Sequence, residues 1–270
     1  MSGDTVIGGT HSLGRTWLKI PEHYDGRVRL FCLPFAGGGA AAYRPWITLL
    51  ADVAQVLPVH LPGRESRLKE APVRDVEVLA SLVADALAPW CHEPYAVYGH
   101  SMGALLAHRT VAMLCRRGLP LPTTLFVAAR RPPHMPPELP LVHRLPVPQL
   151  VAKLRSLGAT PDRILEDPAL LDLFLPTLRA DFELGEAACL WGTNDPLPVR
   201  VVAMGGDRDG VRPPELAEWR LHTSREFSCR MIAGGHFFHL ERPSVVTGEL
   251  RTVLADSRTT YIRRDRSGRA

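Results

Sequence analysis

Nowhere in this chain do apolar residues run together for the ~18 or more positions that a membrane-crossing helix needs, although hydrophobic residues make up 46% of its 270 positions. Met1 to Arg15 lacks the apolar core of a secretory signal and is rich in Gly, Ser and Thr. Residues 1–25 are therefore expected to form a mobile N-terminus, with no membrane association and a cytoplasmic location. Cysteine is scarce and poorly arranged for pairing: Cys32, Cys91, Cys115, Cys189 and Cys229 are odd in number, widely spaced and mostly inside apolar segments. That argues against a disulfide framework or a zinc site and suits small buried hydrophobes, so no metal is expected. Internal repeats and low-complexity segments are absent. Charge is also nearly balanced, because most of the formal +4 comes from residues 256–270, where five arginines (Arg258, Arg263, Arg264, Arg266, Arg269) face Asp256 and Asp265. With so little apolar content this tail reads as a solvated, disordered terminus, not as a nucleic-acid-binding arm.

What the chain does have is an alternation of short apolar runs with longer amphipathic ones. Val28 to Leu33, Ala54 to Val59, Tyr95 to Tyr98, Thr124 to Ala129, Val199 to Met204 and Phe227 to Ile232 read as buried strands. Tyr43 to Leu50, Val73 to Trp90, Ala104 to Leu114 and Ser244 to Leu254 carry apolar residues at helical spacing. This alternation implies an α/β class, a mostly parallel, doubly wound sheet with helices on both faces. Residues 26–131 and 199–255 form the expected core. The alternation breaks over residues 132–198. The first part, Pro132-Pro133-His134-Met135-Pro136-Pro137, is too proline-dense for a strand or helix interior. Helical segments follow at Pro148 to Leu157, Pro168 to Leu175 and Leu178 to Leu190, with breaks expected near Pro161, Pro168 and Pro176. A helical insertion after a sheet strand has the position of a lid.

The chemistry centres on Gly99-His100-Ser101-Met102-Gly103, which lies between a strand signal and a helix signal. Such a Gly-x-Ser-x-Gly turn exposes its serine at the top of a sheet, and the flanking glycines let strand and helix approach closely. A serine hydroxyl is a weak nucleophile and needs a base, itself oriented by a carboxylate. Asp207 and Asp209 follow one strand in Gly205-Gly206-Asp207-Arg208-Asp209-Gly210, and His236 follows the next in Gly234-Gly235-His236-Phe237-Phe238. Serine, then aspartate, then histidine is the order of an α/β-hydrolase, and all three should emerge on one sheet edge. The N–H groups of Met102 and Ala36 fit the places of oxyanion donors. The glycines after Ala36 lack the spacing and the Lys-Ser/Thr of a phosphate-binding loop, so no nucleotide or other cofactor is expected.

Together, Leu33-Pro34-Phe35-Ala36-Gly37-Gly38-Gly39, Leu61-Pro62-Gly63-Arg64-Glu65-Ser66-Arg67, the serine pentapeptide, Gly205-Gly206-Asp207-Arg208-Asp209 and Gly234-Gly235-His236-Phe237-Phe238 resemble the type II thioesterases that accompany polyketide and nonribosomal peptide synthetases. The resemblance implies hydrolysis of aberrant or stalled acyl groups from the phosphopantetheine arm of acyl or peptidyl carrier proteins, an editing function. It makes Ser101 the nucleophile, His236 the base and Asp209 the orienter, with Ala36 and Met102 supplying oxyanion amides and residues 132–198 the lid. Gly210 stands where the family often has proline, which leaves Asp207 a substitute for Asp209. A carrier protein is expected to be acidic near its attachment site, which makes Arg130 and Arg131 docking candidates. Arg64 is expected to be a surface residue in a turn. The competing functions are a free-standing esterase or lipase with the same machinery and a non-catalytic carrier-protein-binding module.

Overall fold

The computed structural model describes residues 17–20, 24–187 and 195–267. Strands β1 (Val28–Leu33), β2 (Ala54–Pro58), β3 (Tyr95–His100), β4 (Thr124–Ala128), β5 (Arg200–Gly206) and β6 (Phe227–Ile232) form one sheet in the order β2-β1-β3-β4-β5-β6. Every neighbouring pair is parallel. β1, β3 and β4 are buried along their whole length, which is why they read as continuous apolar runs and do not alternate. This is the α/β-hydrolase arrangement expected from the sequence.

Helices α1 (Arg44–Leu49), α2 (Val76–Leu87), α3 (Met102–Arg116) and α9 (Pro243–Ser267) cover the sheet. α2 and α3 bury Val83, Leu87, Leu105 and Val111 against Phe31 and Val97 on one face. On the other face, Trp46 of α1 and Leu250 of α9 pack with Tyr98 and Phe126. The order places β1 and β3 side by side, with Leu33 opposite Gly99, so the loops leaving these two strands meet at the reversal of strand order. That junction is where open parallel sheets bind ligands.

Between β4 and β5 the chain carries α4 (Val147–Leu157), α5 (Asp162–Glu166) and α6 (Pro168–Glu186), with a core of their own around Leu150, Leu154, Leu165, Leu171 and Leu178. The expected break at Pro176 does not occur, and α6 is one helix through it. An interior proline costs about 3 kcal/mol, whereas burial of Leu171 and Leu178 on either side contributes about 1.5–3 kcal/mol each, and Thr177 donates to the carbonyl of Gly63 at 2.8 Å. Residues 188–194, which include Cys189 and the expected end of this helix at Leu190, lie outside the described residues. The short α7 (Pro213–Ala217) and α8 (Phe238–Glu241) follow β5 and β6.

Two further expectations are corrected. Trp17 and Leu18 belong to the folded body: both are buried, Leu18 bridges Val59, and the Arg67 guanidinium sits 4.1 Å from the centre of the Trp17 ring. An apolar pair after a polar stretch has docked beyond the end of β2, while Met1 to Arg15 lies outside the described residues. At the other end, α9 does not stop at Leu254 but continues to Ser267, so the expected disordered tail has a helical backbone. No proline or glycine occurs from Glu249 until Gly268, and arginine is a good helix former. Among the described residues no helix is long and apolar enough to cross a membrane.

Candidate active site

Ser101 occupies the turn between β3 and α3 with φ 55° and ψ −116°, a left-handed strain of the kind a nucleophile turn imposes. The glycines around it are steric necessities. A Cβ on Gly99 would lie 2.0 Å from the carbonyl oxygen of Gly103, and one on Gly103 would lie 2.4 Å from that of Leu33.

The loop after β6 carries His236 to this turn. Its Nε2 is 3.0 Å from Ser101 Oγ, and its Nδ1 is 2.9 Å from Asp209 Oδ1. Asp209 comes from the loop after β5 and its side chain is only 5% exposed, which keeps its interaction with the imidazole little screened. Asp207 is engaged otherwise: its Oδ1 accepts the Gly234 amide at 2.9 Å, stitching the two loops together. Of the two aspartates between which Gly210 left the choice open, Asp209 meets the ring and Asp207 meets the backbone beneath it. Gly206 allows that approach, because a Cβ there would lie 2.4 Å from the Gly235 carbonyl oxygen.

The residue before the serine adds a contact that the motif did not announce. His100 is fully buried, and its Nε2 donates to the carbonyl of His236 at 2.8 Å. A carbonyl only accepts, so the proton is on Nε2 and Nδ1 is left to accept from Tyr98 Oη at 3.2 Å. Burial, followed by the neighbouring His239 and His236, holds His100 well below the ordinary histidine range. It is therefore a neutral strut from β3 to the His236 loop. His239, whose ring centre is 3.7 Å from that of His100, is likewise pushed down to about 3, mainly by burial.

Ser101 and His236 open onto a cavity of about 330 Å³ that Ala36 and Met102 also line. The far wall comes from the segment after β4, with Leu145, Leu157 and Phe182 among its apolar side chains. Arg130 and Arg131 line it too, but both guanidinium groups turn to acceptors of the protein. Arg130 donates to the carbonyl of Gly185 in α6, and Arg131 lies 3.6 Å from Glu138 and 3.8 Å from Glu215. Arg130 thereby ties the end of β4 to α6, and Arg131 lies near one carboxylate of the insertion and one of α7. Arg64 departs from expectation. It is 6% exposed and bonded through both terminal nitrogens to the fully buried Asp181 of α6. Its only sequence signal was the Pro-Gly-Arg triplet, and nothing marked Asp181.

The site thus offers a serine hydroxyl in contact with an imidazole whose other nitrogen faces a shielded carboxylate, which is what nucleophilic acyl transfer requires. The family model described as a thioesterase domain matches residues 28–254. The thioesterase PikA5 of Streptomyces venezuelae is 41% identical over 213 residues, covering 78% of this chain and 75% of that protein. The gramicidin S biosynthesis protein GrsT of Aneurinibacillus migulanus is 36% identical over 234 residues, 85% of this chain and 91% of its own length. Among solved structures, the type II thioesterase BorB from the borrelidin biosynthetic cluster superposes with a TM-score of 0.79 at 34% identity, over 88% of this chain and 98% of that one. The chain belongs to the thioesterase domain family and is a hydrolase acting on thioesters.

Proposed function

We propose that this protein is an editing thioesterase that removes aberrant or stalled acyl groups from the phosphopantetheine arm of acyl or peptidyl carrier proteins in polyketide or nonribosomal peptide assembly. The observation that carries the reading is the unbroken contact from Asp209 through His236 to Ser101, at 2.9 and 3.0 Å, opening onto an apolar-walled cavity in a chain of this family.

In the proposed reaction Ser101 Oγ attacks the thioester carbonyl while His236 Nε2 takes its proton. Asp209 holds the ring and stabilises the imidazolium. The amides of Ala36 and Met102 receive the developing oxyanion. Collapse of the tetrahedral intermediate breaks the carbon–sulfur bond, and His236 returns the proton to the departing thiolate. Water, deprotonated by His236, then releases the acid and restores the serine. The helices between β4 and β5 act as a lid that shields the acyl-enzyme from bulk water. The part of GrsT in gramicidin S biosynthesis and the place of BorB in the borrelidin cluster support carrier-bound substrates for this chain too.

The test is to supply one acyl group as a carrier-protein thioester and as a free oxygen ester. Carrier thioester is expected to be turned over with the higher kcat/KM. A preference for the free ester would make the protein a free-standing esterase, and failure of Ser101 to react with a fluorophosphonate would make it a binding module.

A further inference from the structure

The loop that carries Ala36 is gripped from both sides by residues that no step of the reaction uses. Asp181 Oδ2 accepts the amide of Gly37 at 2.7 Å and also Arg64 Nη1 at 2.7 Å, while its Oδ1 accepts Arg64 Nη2 at 2.8 Å. Arg64 Nη1 further donates to the carbonyl of Gly38 at 3.1 Å. The adjacent Glu65 takes the amides of Ala40 and Ala41 at 3.0 and 2.9 Å. One turn, Gly63 to Glu65, and one side chain of α6 therefore hold successive peptides of the loop from Gly37 to Ala41. Gly37 has φ +72°, and a Cβ there would meet Leu178 of α6 at 2.6 Å, so the helix lies directly on the loop.

We infer that the buried Arg64–Asp181 pair is a positioning device for the oxyanion loop, through which helix α6 of the insertion sets the catalytic competence of the site. This rests on the serine-hydrolase reading above. A buried ion pair is commonly no more stabilising than apolar side chains of the same shape, so stability alone does not account for it. What an apolar pair cannot supply is an acceptor for the Gly37 amide and a donor for the Gly38 carbonyl. These fix the direction of the peptide that follows Ala36, and with it the aim of the neighbouring Ala36 N–H. Charge-assisted bonds of this kind are short and directional. Movement of α6 away from the sheet withdraws Asp181 and frees the loop, so an open insertion and a formed oxyanion site exclude one another. Arg64 and Asp181 are positioning residues, acting through the loop.

The test compares the full-length wild type with Asp181→Asn and Arg64→Lys. Asn keeps the shape of the carboxylate but has one acceptor oxygen where three donors converge, and Lys keeps the charge without the fork that reaches both Asp181 and Gly38. Four quantities are read: the rate of fluorophosphonate labelling of Ser101, kcat and KM for a small soluble thioester, and the thermal unfolding midpoint. Misplacement of a donor by a fraction of an ångström is expected to lower labelling rate and kcat about 10- to 100-fold, with KM changed less than about twofold. If Asp181→Asn does not fold, Arg64→Lys carries the same expectation. A folded variant that labels and turns over within about threefold of wild type overturns the inference while leaving the nucleophile reading intact. Absence of labelling in the wild type overturns both.

Discussion

Single side chains decide the chemistry in this cavity. Replacing Ser101 by Ala removes the proposed attacking atom and is expected to lower kcat by about 10⁴- to 10⁶-fold, with the unfolding midpoint unchanged. Asp209→Asn leaves the ring in place but presents it with the wrong partner, and a loss of about 10⁴-fold is expected. Asp207→Asn should be far milder, because an amide oxygen can still accept the Gly234 N–H at 2.9 Å. Steady-state kinetics of the two aspartate variants check this, and equal losses would contradict the assignment. Ser101, His236 and a nearby aspartate were legible in the sequence because each sits between a strand signal and glycines that only a tight turn needs. His100 and Arg64 were not. Their partners, the carbonyl of His236 and the carboxylate of Asp181, are 136 and 117 positions away, and no local pattern encodes a contact at that range.

At the scale of elements, backbone contact is what makes the site. The turn between β3 and α3 tolerates no side chain at its glycines, so Gly103→Ala, driven against the carbonyl of Leu33 at 2.4 Å, is expected to unfold the protein or lower its midpoint by many degrees. Circular dichroism melting would show it, and a native-like melt would contradict this packing. Pro176 is the converse case. It is exposed and leaves one helical carbonyl of α6 without its amide, so Pro176→Ala should raise the midpoint by several degrees, at about 2–4 °C per kcal/mol for a chain of this size. β6 at the sheet edge is largely half-buried or exposed and carries Ser228 and Arg230, whereas β1, β3 and β4 were readable because both faces of the sheet are covered there, which makes them mostly apolar. The continuity of α6 was not, since local rules place a break at proline and only the packing of Leu171, Thr177 and Leu178 overrides it. The docking of Trp17 and Leu18 was missed for a similar reason, its partners being distant in the chain.

Across the whole molecule, the most consequential hidden feature is a set of buried neutral histidines. Burial pushes His222 down to about 4 and His239 to about 3, and holds His100 and His108 well below the ordinary value of 6.5. A lowered folded pKa means that the unfolded chain binds protons first as pH falls. The stability contributed is thus complete above about pH 6.5 and is lost progressively below it, down to the folded values. Each group contributes a slope of about 1.4 kcal/mol per pH unit in that window. Four together are large against a total stability of about 5–15 kcal/mol. Denaturant unfolding at pH 7.5, 6 and 5 is expected to show a steep fall in midpoint below pH 6.5, and a flat profile to pH 5 would contradict the buried neutral state. The proposed function turns, at this scale, on one event, the transfer of an acyl group from a carrier arm to Ser101 and then to water. The most direct measurement is intact-protein mass spectrometry of an acyl-loaded carrier protein incubated with the enzyme in ¹⁸O-water. The carrier is expected to lose the acyl mass and return to its free-thiol form, with one ¹⁸O in the released acid, and Ser101→Ala should leave the carrier loaded. A carrier that stays acylated beside the wild-type protein, while a free ester of the same acid is consumed, would contradict the reading.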